Sequence, residues 1–243
     1  MKYTNILITG SNGFIGSNLV SRLESRNDIN IFKYTRSSSL DDLKEYLIKC
    51  DIVFHFAGEV RPNSTAKEMQ DSNTNLTKSI VDLLIFHNRR VPILYTSSIH
   101  AGKTENSYGK TKKESEDIIR EYCKDSDVEA FIYRLPHIFG EGCKPNYNSV
   151  ITTWIYNTIN NLDIVIYDKE FRMTYVYVQD LIDTFMIIIE SGLDLKNPPE
   201  YEVTLGEVAN LLYDFQNKAP IQYPCNITNN EFCYKLHETF KSF

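Results

Sequence analysis

The sequence has few of the features that mark a membrane protein, a nucleic-acid-binding protein or a secreted protein. Its 26 Lys and Arg residues are outnumbered by 32 Asp and Glu residues, and the resulting formal charge of −6 comes with no basic block. This argues against a surface for nucleic acid or anionic lipid. It has no run of about 18 apolar residues that would span a bilayer. Five scattered cysteines form no C-x-x-C pair, so we expect reduced thiols and a cytoplasmic location.

The histidines and cysteines also lack a pattern that would hold a metal ion. The five histidines show no paired ligand spacing with acids or cysteines. Cys233 and His237 stand at positions i and i+4, but two ligands do not complete a zinc site. We therefore expect no metal in this chain.

What the sequence does have is an alternation of short apolar runs with segments of helical periodicity. The predicted strands are Ile6–Thr9, Ile29–Tyr34, Asp51–Phe56, Val91–Ser97 and Ala130–Leu135. The predicted helices between them are Phe14–Arg26, Leu40–Lys49, Asn73–His87 and Tyr108–Tyr122. Strands that alternate with helices form βαβ units with right-handed crossovers. The predicted fold class is α/β, with a Rossmann-like doubly wound parallel sheet.

A glycine-rich turn follows the first strand and opens the first helix. Gly10, Gly13 and Gly16 have the spacing G-x-x-G-x-x-G. Glycine removes the Cβ where the backbone must approach a pyrophosphate, and a helix N-terminus supplies free N–H groups. We interpret the turn as a dinucleotide site rather than a plain tight turn. Its candidate cofactor-binding residues are Gly10, Asn12, Gly13, Phe14, Ile15 and Gly16.

The end of the second strand indicates which dinucleotide is bound. An acidic residue there would bind the ribose 2′-hydroxyl of NAD, but the segment carries no carboxylate until Asp41. Arg36 and Ser37 suit a 2′-phosphate instead, because a guanidinium pairs with phosphate through two hydrogen bonds. The predicted cofactor is NADP(H) in preference to NAD, and the alternative is that Arg36 is an ordinary solvated arginine.

Tyr108 and Lys112 are candidate catalytic residues. Their i, i+4 spacing places both on one face of a helix. An adjacent ammonium and a cationic nicotinamide would favour the phenolate and so lower the tyrosine pKa. Ser98 ends the fourth strand and would share a hydrogen bond with the substrate oxygen. We predict Ser98, Tyr108 and Lys112 as the catalytic set.

After Gly140 the alternation loosens. We predict a helix at Ser149–Ile159, strands at Ile164–Tyr167 and Met173–Val178, and a helix at Leu181–Glu190. Thr204-x-x-Glu207 fits a capping box that opens a further helix. The predicted organisation is a dinucleotide-binding domain at 1–140 and a small C-terminal α/β region at 141–243, partly interleaved with it, that binds substrate over the open ends of the strands.

These motifs together resemble one family. The matching residues are Gly10, Gly13, Gly16, the segment 51–58, Asn75, the segment 96–98, Tyr108, Lys112 and the segment 134–140. The chain resembles the extended short-chain dehydrogenase/reductases of the NAD-dependent epimerase/dehydratase family, which act on nucleotide-sugars. The likeness extends to the reductase domains of enzymes that take part in capsular-polysaccharide synthesis through the UDP-N-acetyl-L-fucosamine pathway. The residues that carry this further likeness are Arg61-Pro62 and the segments 144–150 and 203–207.

The resemblance implies NADPH-dependent reduction of the C4 keto group of a UDP-2-acetamido-2,6-dideoxy-L-hexos-4-ulose, in a pathway of the UDP-L-FucNAc or UDP-L-RhaNAc type. Tyr108 would be the general acid, Lys112 would hold the nicotinamide ribose, and Ser98 would orient the carbonyl. Further cofactor contacts are implied for Phe56, Ala57, Gly58, Asn75, Pro136 and Ile138. Substrate contacts are implied for Arg61, His137, Lys144, Asn148, Ser149 and Arg172. The family commonly has Asn where His137 stands.

The resemblance also implies partners. Related folds pair the helices at 73–87 and 108–122 across a homodimer. In the resembling enzymes a C-terminal cupin domain that carries a metal epimerises C3 before the reduction. Three arrangements are open for the C3 step. The cupin is a separate epimerase that partners this chain, it belongs to a longer chain, or the C3 step is absent.

Three alternative functions fit these residues less well than reduction does. A 4,6-dehydratase needs carboxyl groups just after the serine of the fourth strand, but Ser98 is followed by Ile99-His100-Ala101, which disfavours dehydration. A nucleotide-sugar 4-epimerase would recycle a tightly held NAD and fits Arg36 less well. A non-catalytic dinucleotide-binding module that partners a separate cupin is the third alternative, and the set of Ser98, Tyr108 and Lys112 argues against it.

Overall fold

The computed structural model describes residues 1–61, 64–103, 105–147, 149–217 and 227–243, with 227–229 described by their backbone alone. Within these residues the chain forms two compact units. The first comprises Met1–Leu135 with Phe185–Leu195, and the second comprises Pro136–Thr184 with Lys196–Phe243. The first part of this unit thus ends five residues before the predicted boundary at 140. The unit also includes the later segment Phe185–Leu195. Within the described residues, no helix is both long enough and apolar enough to cross a membrane.

A five-stranded parallel sheet forms the centre of the first unit. Its strands are β1 (Asn5–Thr9), β2 (Asn30–Tyr34), β3 (Ile52–His55), β4 (Ile93–Ser98) and β5 (Ala130–Leu135). They lie in the order β2-β1-β3-β4-β5, and every neighbouring pair is parallel. The order reverses between β1 and β3, and ligands of such sheets bind at the carboxyl ends of the strands at this switch point. The predicted Rossmann-like fold is confirmed.

Helices pack against this sheet on both faces. The helices of this unit are α1 (Phe14–Glu24), α2 (Leu40–Lys49), α3 (Ala66–Met69), α4 (Leu76–Phe86) and α5 (Ser107–Ser126), together with the end of α7 (Val178–Ser191). Val53 faces a core built with α2, α4 and α5. Its neighbour Phe54 contacts Phe185 of α7 on the opposite face, with ring centroids 5.7 Å apart. Successive side chains of a strand point to opposite faces, so a strand buried on both sides is mostly apolar.

The helix predicted at Asn73–His87 differs in its first half. The chain forms α3, then a π-helical turn at Gln70–Asn75, and only then α4. A π-turn inserts one residue into the helical repeat and so changes which side chains face inward. Asn73 and Thr74 are buried there, while Asn75 is exposed. Periodicity alone does not reveal such an insertion.

The second unit contains a smaller mixed sheet. Its strands are β6 (His137–Phe139), β7 (Arg172–Tyr177) and β8 (Glu200–Thr204). Strand β7 pairs in parallel with β6 and antiparallel with β8. Its helices are α6 (Val150–Ile159), α8 (Leu205–Gln216), α9 (Ile227–Lys241) and the start of α7. Buried aromatic and aliphatic side chains from these elements, including Trp154, Tyr175 and Phe232, form its core.

One predicted strand of this unit is wrong and one capping motif is confirmed. Residues 164–167 are irregular rather than a strand. Ile164 and Ile166 pack on the core while Val165 and Tyr167 are exposed, so the alternation reflects burial alone, and no strand among the described residues pairs with this segment. At the start of α8, the Thr204 side chain accepts a hydrogen bond from the Glu207 N–H, and the Glu207 carboxylate accepts one from the Thr204 N–H. This is the predicted capping box.

Candidate active site

The glycine turn brings the loops after β1, β2 and β3 together. Gly10 has a φ of +69°, and its N–H donates to the Tyr34 carbonyl at the end of β2 over 2.9 Å. A Cβ on Gly10 would lie 2.7 Å from the backbone nitrogen of Ala57, just after β3. A Cβ on Gly16 would lie 2.2 Å from the Gly10 carbonyl oxygen. Glycine is therefore required at both positions for the close approach of the three backbones.

We expect Gly10→Ala to lower the free energy of unfolding by about 2 kcal/mol or more, because a left-handed conformation alone costs a residue with a Cβ about 1–2 kcal/mol and the Cβ also meets Ala57. Urea denaturation measures the change. Gly102→Ala is the matched control, because a Cβ there meets nothing within 4 Å. Equal stability of the Gly10 and Gly102 variants would contradict this account of the turn.

The residues of the turn fit a dinucleotide phosphate. Helix α1 begins after Gly13 without a side-chain cap, so no side chain satisfies its first N–H groups, which are the groups that bind phosphates. The Ser11 hydroxyl is buried and has no hydrogen-bond partner among the described residues. Buried donors are normally satisfied, and a phosphate oxygen at this turn would accept from it.

Ser98, Tyr108 and Lys112 lie at the carboxyl ends of the sheet strands, as the glycine turn does. Ser98 ends β4, and its hydroxyl accepts a hydrogen bond from the His100 N–H over 3.2 Å. Asn106 caps α5 by accepting from the Gly109 N–H over 2.6 Å, and this cap fixes the turn of helix that carries Tyr108. The Lys112 Nζ is 5.9 Å from the centroid of the Tyr108 ring. The three predicted catalytic side chains thus come together at the end of β4 and the start of α5.

Lys112 is a buried cation held at the carboxyl end of β4. Its side chain is 4% exposed. The Nζ donates to the Thr96 carbonyl over 2.8 Å and lies 4.7 Å from the centroid of the Tyr95 ring. Burial lowers the pKa of Lys112 from 10.5 to about 8, and the charge of Glu116 opposes this change. Glu116 is itself buried and accepts two hydrogen bonds from Arg134 and one from Ser97.

The pKa of Tyr108 differs from the sequence-based expectation. Burial raises it above the ordinary value of 10.0, and an interaction with Ser98 opposes the rise only in part. Within this chain the net shift of the Tyr108 pKa is therefore upward, because desolvation of the phenol dominates it. Tyr108 is a neutral phenol at physiological pH, which is the protonation state that a proton donor needs.

Asn73 is a residue of this site that sequence reasoning missed. Its Oδ1 accepts from the Glu59 N–H over 2.7 Å, and its Nδ2 donates to the Thr111 hydroxyl over 3.0 Å. A Cβ on Gly58 would lie 2.8 Å from the Asn73 Oδ1 and 3.5 Å from the Lys112 Nζ. The predicted Asn75 is exposed and donates to Asp71 over 2.8 Å, so a cofactor contact for Asn75 stays a prediction. The π-turn explains why the inward residue is Asn73.

Glu59 is a second missed residue, and it joins two predicted ones. It lies just after Ala57 and Gly58 and is 2% exposed. Its Oε2 accepts from Arg36 over 2.9 Å and from Arg61 over 2.7 Å. Hydrogen bonds from Arg61 lower the pKa of Glu59 to about 2. The sequence predicts a cofactor contact for Arg36, and the resemblance implies a substrate contact for Arg61. In the structure both arginines contact the same buried carboxylate. A single acidic residue between a glycine and a valine offers no periodic signal.

The predicted residues of the second unit have mostly local partners. Ser149 caps α6 by accepting from the Thr152 N–H over 3.3 Å. Arg172 is exposed and pairs with Glu202 on the neighbouring strand over 3.2 Å. His137 is exposed on β6, with its ring centroid 5.9 Å from that of Tyr175. Lys144 is exposed, Pro136 and Ile138 are half-buried, and Asn148 lies outside the described residues. Their cofactor and substrate roles stay predictions.

Among the residues that the structure describes, no group of three or more His, Cys, Asp or Glu side chains is arranged to hold a metal ion. The four cysteines described, Cys50, Cys123, Cys143 and Cys233, are free thiols. Burial raises the pKa of Cys50 and of Cys123 to about 12. Neither of these two thiols therefore has the thiolate character of a nucleophile or a metal ligand.

The sheet order and the glycine turn define a dinucleotide-binding protein of the doubly wound class. The profile of the NAD dependent epimerase/dehydratase family matches residues 6–204. The chain belongs to this family, and the resemblance seen in its motifs is confirmed.

Two relatives are similar over nearly the whole chain. The UDP-2-acetamido-2,6-beta-L-arabino-hexul-4-ose reductase of Pseudomonas aeruginosa is 36% identical over 216 residues, which are 87% of this chain and 58% of that protein. The crystal structure of the capsular polysaccharide assembling protein CapF from Staphylococcus aureus superposes with a TM-score of 0.84 at 35% identity, over 98% of this chain and 65% of that one. This chain therefore spans about three fifths of the length of such relatives.

A more distant structure shares the fold. The UDP-N-acetylglucosamine 4-epimerase of Methanobrevibacter ruminantium has a TM-score of 0.82 at 20% identity and is covered over 99% of its length. Its similarity supports the fold assignment alone.

Proposed function

We propose that this chain catalyses NADPH-dependent reduction of the C4 keto group of a UDP-2-acetamido-2,6-dideoxy-L-hexos-4-ulose. The observation that carries the proposal is the grouping of a neutral Tyr108, a buried Lys112 and Ser98 beside the glycine turn. The similarity to the Pseudomonas reductase supports the choice of a UDP-linked keto sugar. The residues after Ser98 carry no acid for a dehydration.

Reduction needs a hydride, a proton donor and an oriented carbonyl. Bound NADPH would supply the hydride to C4. Tyr108 donates its phenolic proton to the C4 oxygen as the alcohol forms, and Ser98 donates a hydrogen bond that orients the same oxygen. Lys112 stabilises the phenolate that remains, because its ammonium stays near the phenol ring. Protons from solvent then restore Tyr108.

The choice of NADP(H) over NAD rests on Arg36. This residue follows β2, where a carboxylate would bind the 2′-hydroxyl of NAD, and its side chain is 73% exposed. A guanidinium in this position can pair with a 2′-phosphate. The homodimer, the separate cupin epimerase and the cytoplasmic location expected from the resemblance stay predictions.

We expect Arg36→Ala to weaken NADPH binding by about tenfold or more, as expected for the loss of a charge-assisted hydrogen bond, and to leave NADH binding unchanged. Titration of nicotinamide fluorescence measures both affinities. Arg26→Ala is the matched control, because Arg26 is an arginine of the same unit that pairs with Asp28 and Glu190 at the surface. An Arg36 variant that binds NADPH as tightly as the parent would refute the assignment.

The reaction is tested by NADPH consumption with the 4-keto UDP-sugar, with NMR of the product. Loss of nicotinamide absorbance together with a new C4 alcohol is the expected result. Interconversion of two C4 epimers without net NADPH consumption would instead identify a 4-epimerase. Tight NADPH binding without turnover of any 4-keto UDP-sugar would identify a non-catalytic dinucleotide-binding module.

A further inference from the structure

The carboxylate of Glu59 is fully occupied. Its Oε1 accepts hydrogen bonds from the Val60 N–H over 3.0 Å, and from the Arg61 N–H and Nε over 2.9 Å each. Its Oε2 accepts from Arg61 over 2.7 Å and from Arg36 over 2.9 Å. A carboxylate has about four lone-pair sites, so five donors leave none for a ribose hydroxyl. Glu59 therefore does not act as the acidic residue that selects NAD.

The side chains of the two arginines that Glu59 holds are both partly exposed to solvent. The side chain of Arg36 is 73% exposed and that of Arg61 is 42% exposed, whereas that of Glu59 is 2% exposed. Two arginines and one carboxylate carry a net charge of +1. Glu68, which is within electrostatic reach of Arg61, is held at the cap of α3 by Thr65. Glu68 keeps its negative charge there, but the groups that the cluster itself presents to solvent are the two arginine side chains.

The cluster also lies where the 2′-position of the adenosine ribose is read. Arg36 follows β2, and Glu59 and Arg61 follow β3, while the glycine turn after β1 lies between them in the sheet order. In doubly wound folds the residue after β2 discriminates the 2′-hydroxyl from the 2′-phosphate. Glu59 brings a second arginine, from the loop after β3, to that point.

We propose that Arg36 and Arg61, held together by Glu59, form a two-arginine site for the 2′-phosphate monoester of the cofactor. This inference deepens the proposed NADPH dependence and rests on it. Arg61 and Arg36 contact the phosphate through charge-assisted hydrogen bonds. Glu59 is a positioning residue that holds the two guanidinium groups side by side. Arg61 thereby acts on the cofactor rather than on the substrate.

The test compares ligands that differ only in the 2′-phosphate. NADPH and NADH are titrated by nicotinamide fluorescence, and 2′,5′-ADP and 5′-AMP by calorimetry, so the readout does not depend on turnover. Arg61→Ala is expected to weaken NADPH and 2′,5′-ADP by about tenfold or more and to leave NADH and 5′-AMP unchanged. Arg26→Ala is expected to leave all four ligands unchanged.

Glu59→Gln tests the positioning role. It is expected to weaken NADPH selectively, because the amide holds the two guanidiniums less well, while circular dichroism reports whether the variant folds. If the variant unfolds, Arg61→Ala and Arg61→Lys carry the test alone, and the lysine variant is expected to recover part of the NADPH affinity as a single point charge.

Three results would overturn the inference. An Arg61→Ala variant with parental NADPH affinity excludes a contact with the phosphate. Equal weakening of NADPH and NADH indicates a general structural role. If Arg61→Ala loses affinity for UDP but keeps its affinity for NADPH, Arg61 is a substrate contact. In each of these cases a parent that reduces the 4-keto sugar with NADPH preserves the proposed function, whereas a parent with no preference for NADPH overturns the cofactor assignment itself.

Discussion

Tyr108→Phe is expected to lower kcat of the NADPH-dependent reduction by a factor of about 10² to 10⁴, the usual contribution of a positioned general acid. The phenylalanine ring fills the same half-buried space at the start of α5 but carries no proton to donate to the C4 oxygen. NADPH affinity is expected to stay unchanged, because the glycine turn and Arg36 are untouched. Single-turnover kinetics and fluorescence titration measure the two quantities separately.

The matched control for this variant is Tyr122→Phe, on the same helix. The Tyr122 hydroxyl accepts from the Val91 N–H, and its one proton lies within reach of the Arg89 and Val91 carbonyls. Its loss is therefore expected to lower thermal stability and leave kcat unchanged. If Tyr108→Phe reduced the keto sugar as fast as the parent, the proton would come from another donor and the proposed mechanism would fail.

Lys112→Met is expected to produce the second large loss, about 10²-fold in kcat, the scale of removing one preorganised charge from a low-dielectric site. Methionine matches the unbranched stem of lysine but removes the ammonium near the Tyr108 ring. Lys113→Met is the matched control. Lys113 is the next residue on α5, is partly exposed and pairs with Asp117, so its loss is expected to leave kcat unchanged. Similar kcat values for the two variants would contradict the role of Lys112.

The buried lysine also predicts how activity depends on pH. Burial lowers the pKa of Lys112 to about 8, so its charge is lost as the pH rises through that value. We therefore expect kcat/KM to fall on the basic side of its pH profile, which we call the basic limb. The contribution to stability has the opposite sign. The folded pKa lies below the unfolded value of 10.5, so the folded state favours the neutral amine and the stability contribution of Lys112 rises between about pH 8 and 10.5.

Opposite signs make the two effects separable. Kinetics and urea denaturation across the same pH range are expected to show falling kcat/KM without an accompanying loss of stability from Lys112. In Lys112→Met the residual activity is expected to lose this basic limb. A limb that persists unchanged in Lys112→Met would assign the titration to another group.

The sheet strands and the glycine turn were predictable because their signals are local. Ile6–Thr9 is a short apolar run that is typical of a strand buried on both faces, and β1 is buried in this way. Ala130–Leu135 is also rich in apolar residues, although β5 lies at the edge of the sheet and exposes Arg134. Gly10 and Gly16 stand where the backbone crowds against Ala57 and against the turn itself. The helical spacing of Tyr108 and Lys112 likewise places both on one helix face whatever surrounds them.

Other features depended on interactions distant in sequence. The π-turn before α4 turns Asn73 inward, and hydrophobic periodicity does not encode an inserted residue. Ile164–Tyr167 alternates like a strand yet pairs with none among the described residues. Whether such a segment becomes a strand is decided by a neighbour for its backbone hydrogen bonds.

The sequence by itself determined a parallel sheet with a glycine-rich turn, and a serine, a tyrosine and a lysine at the spacings on which the proposed reduction rests. Only the tertiary structure decided the state of those groups. It buries Lys112 and partly buries Tyr108, which moves both pKa values, and it brings Arg36 and Arg61 onto Glu59 from loops after different strands. Desolvation and long-range charge pairing depend on what packs around a residue, and neither is encoded in its immediate neighbours along the chain.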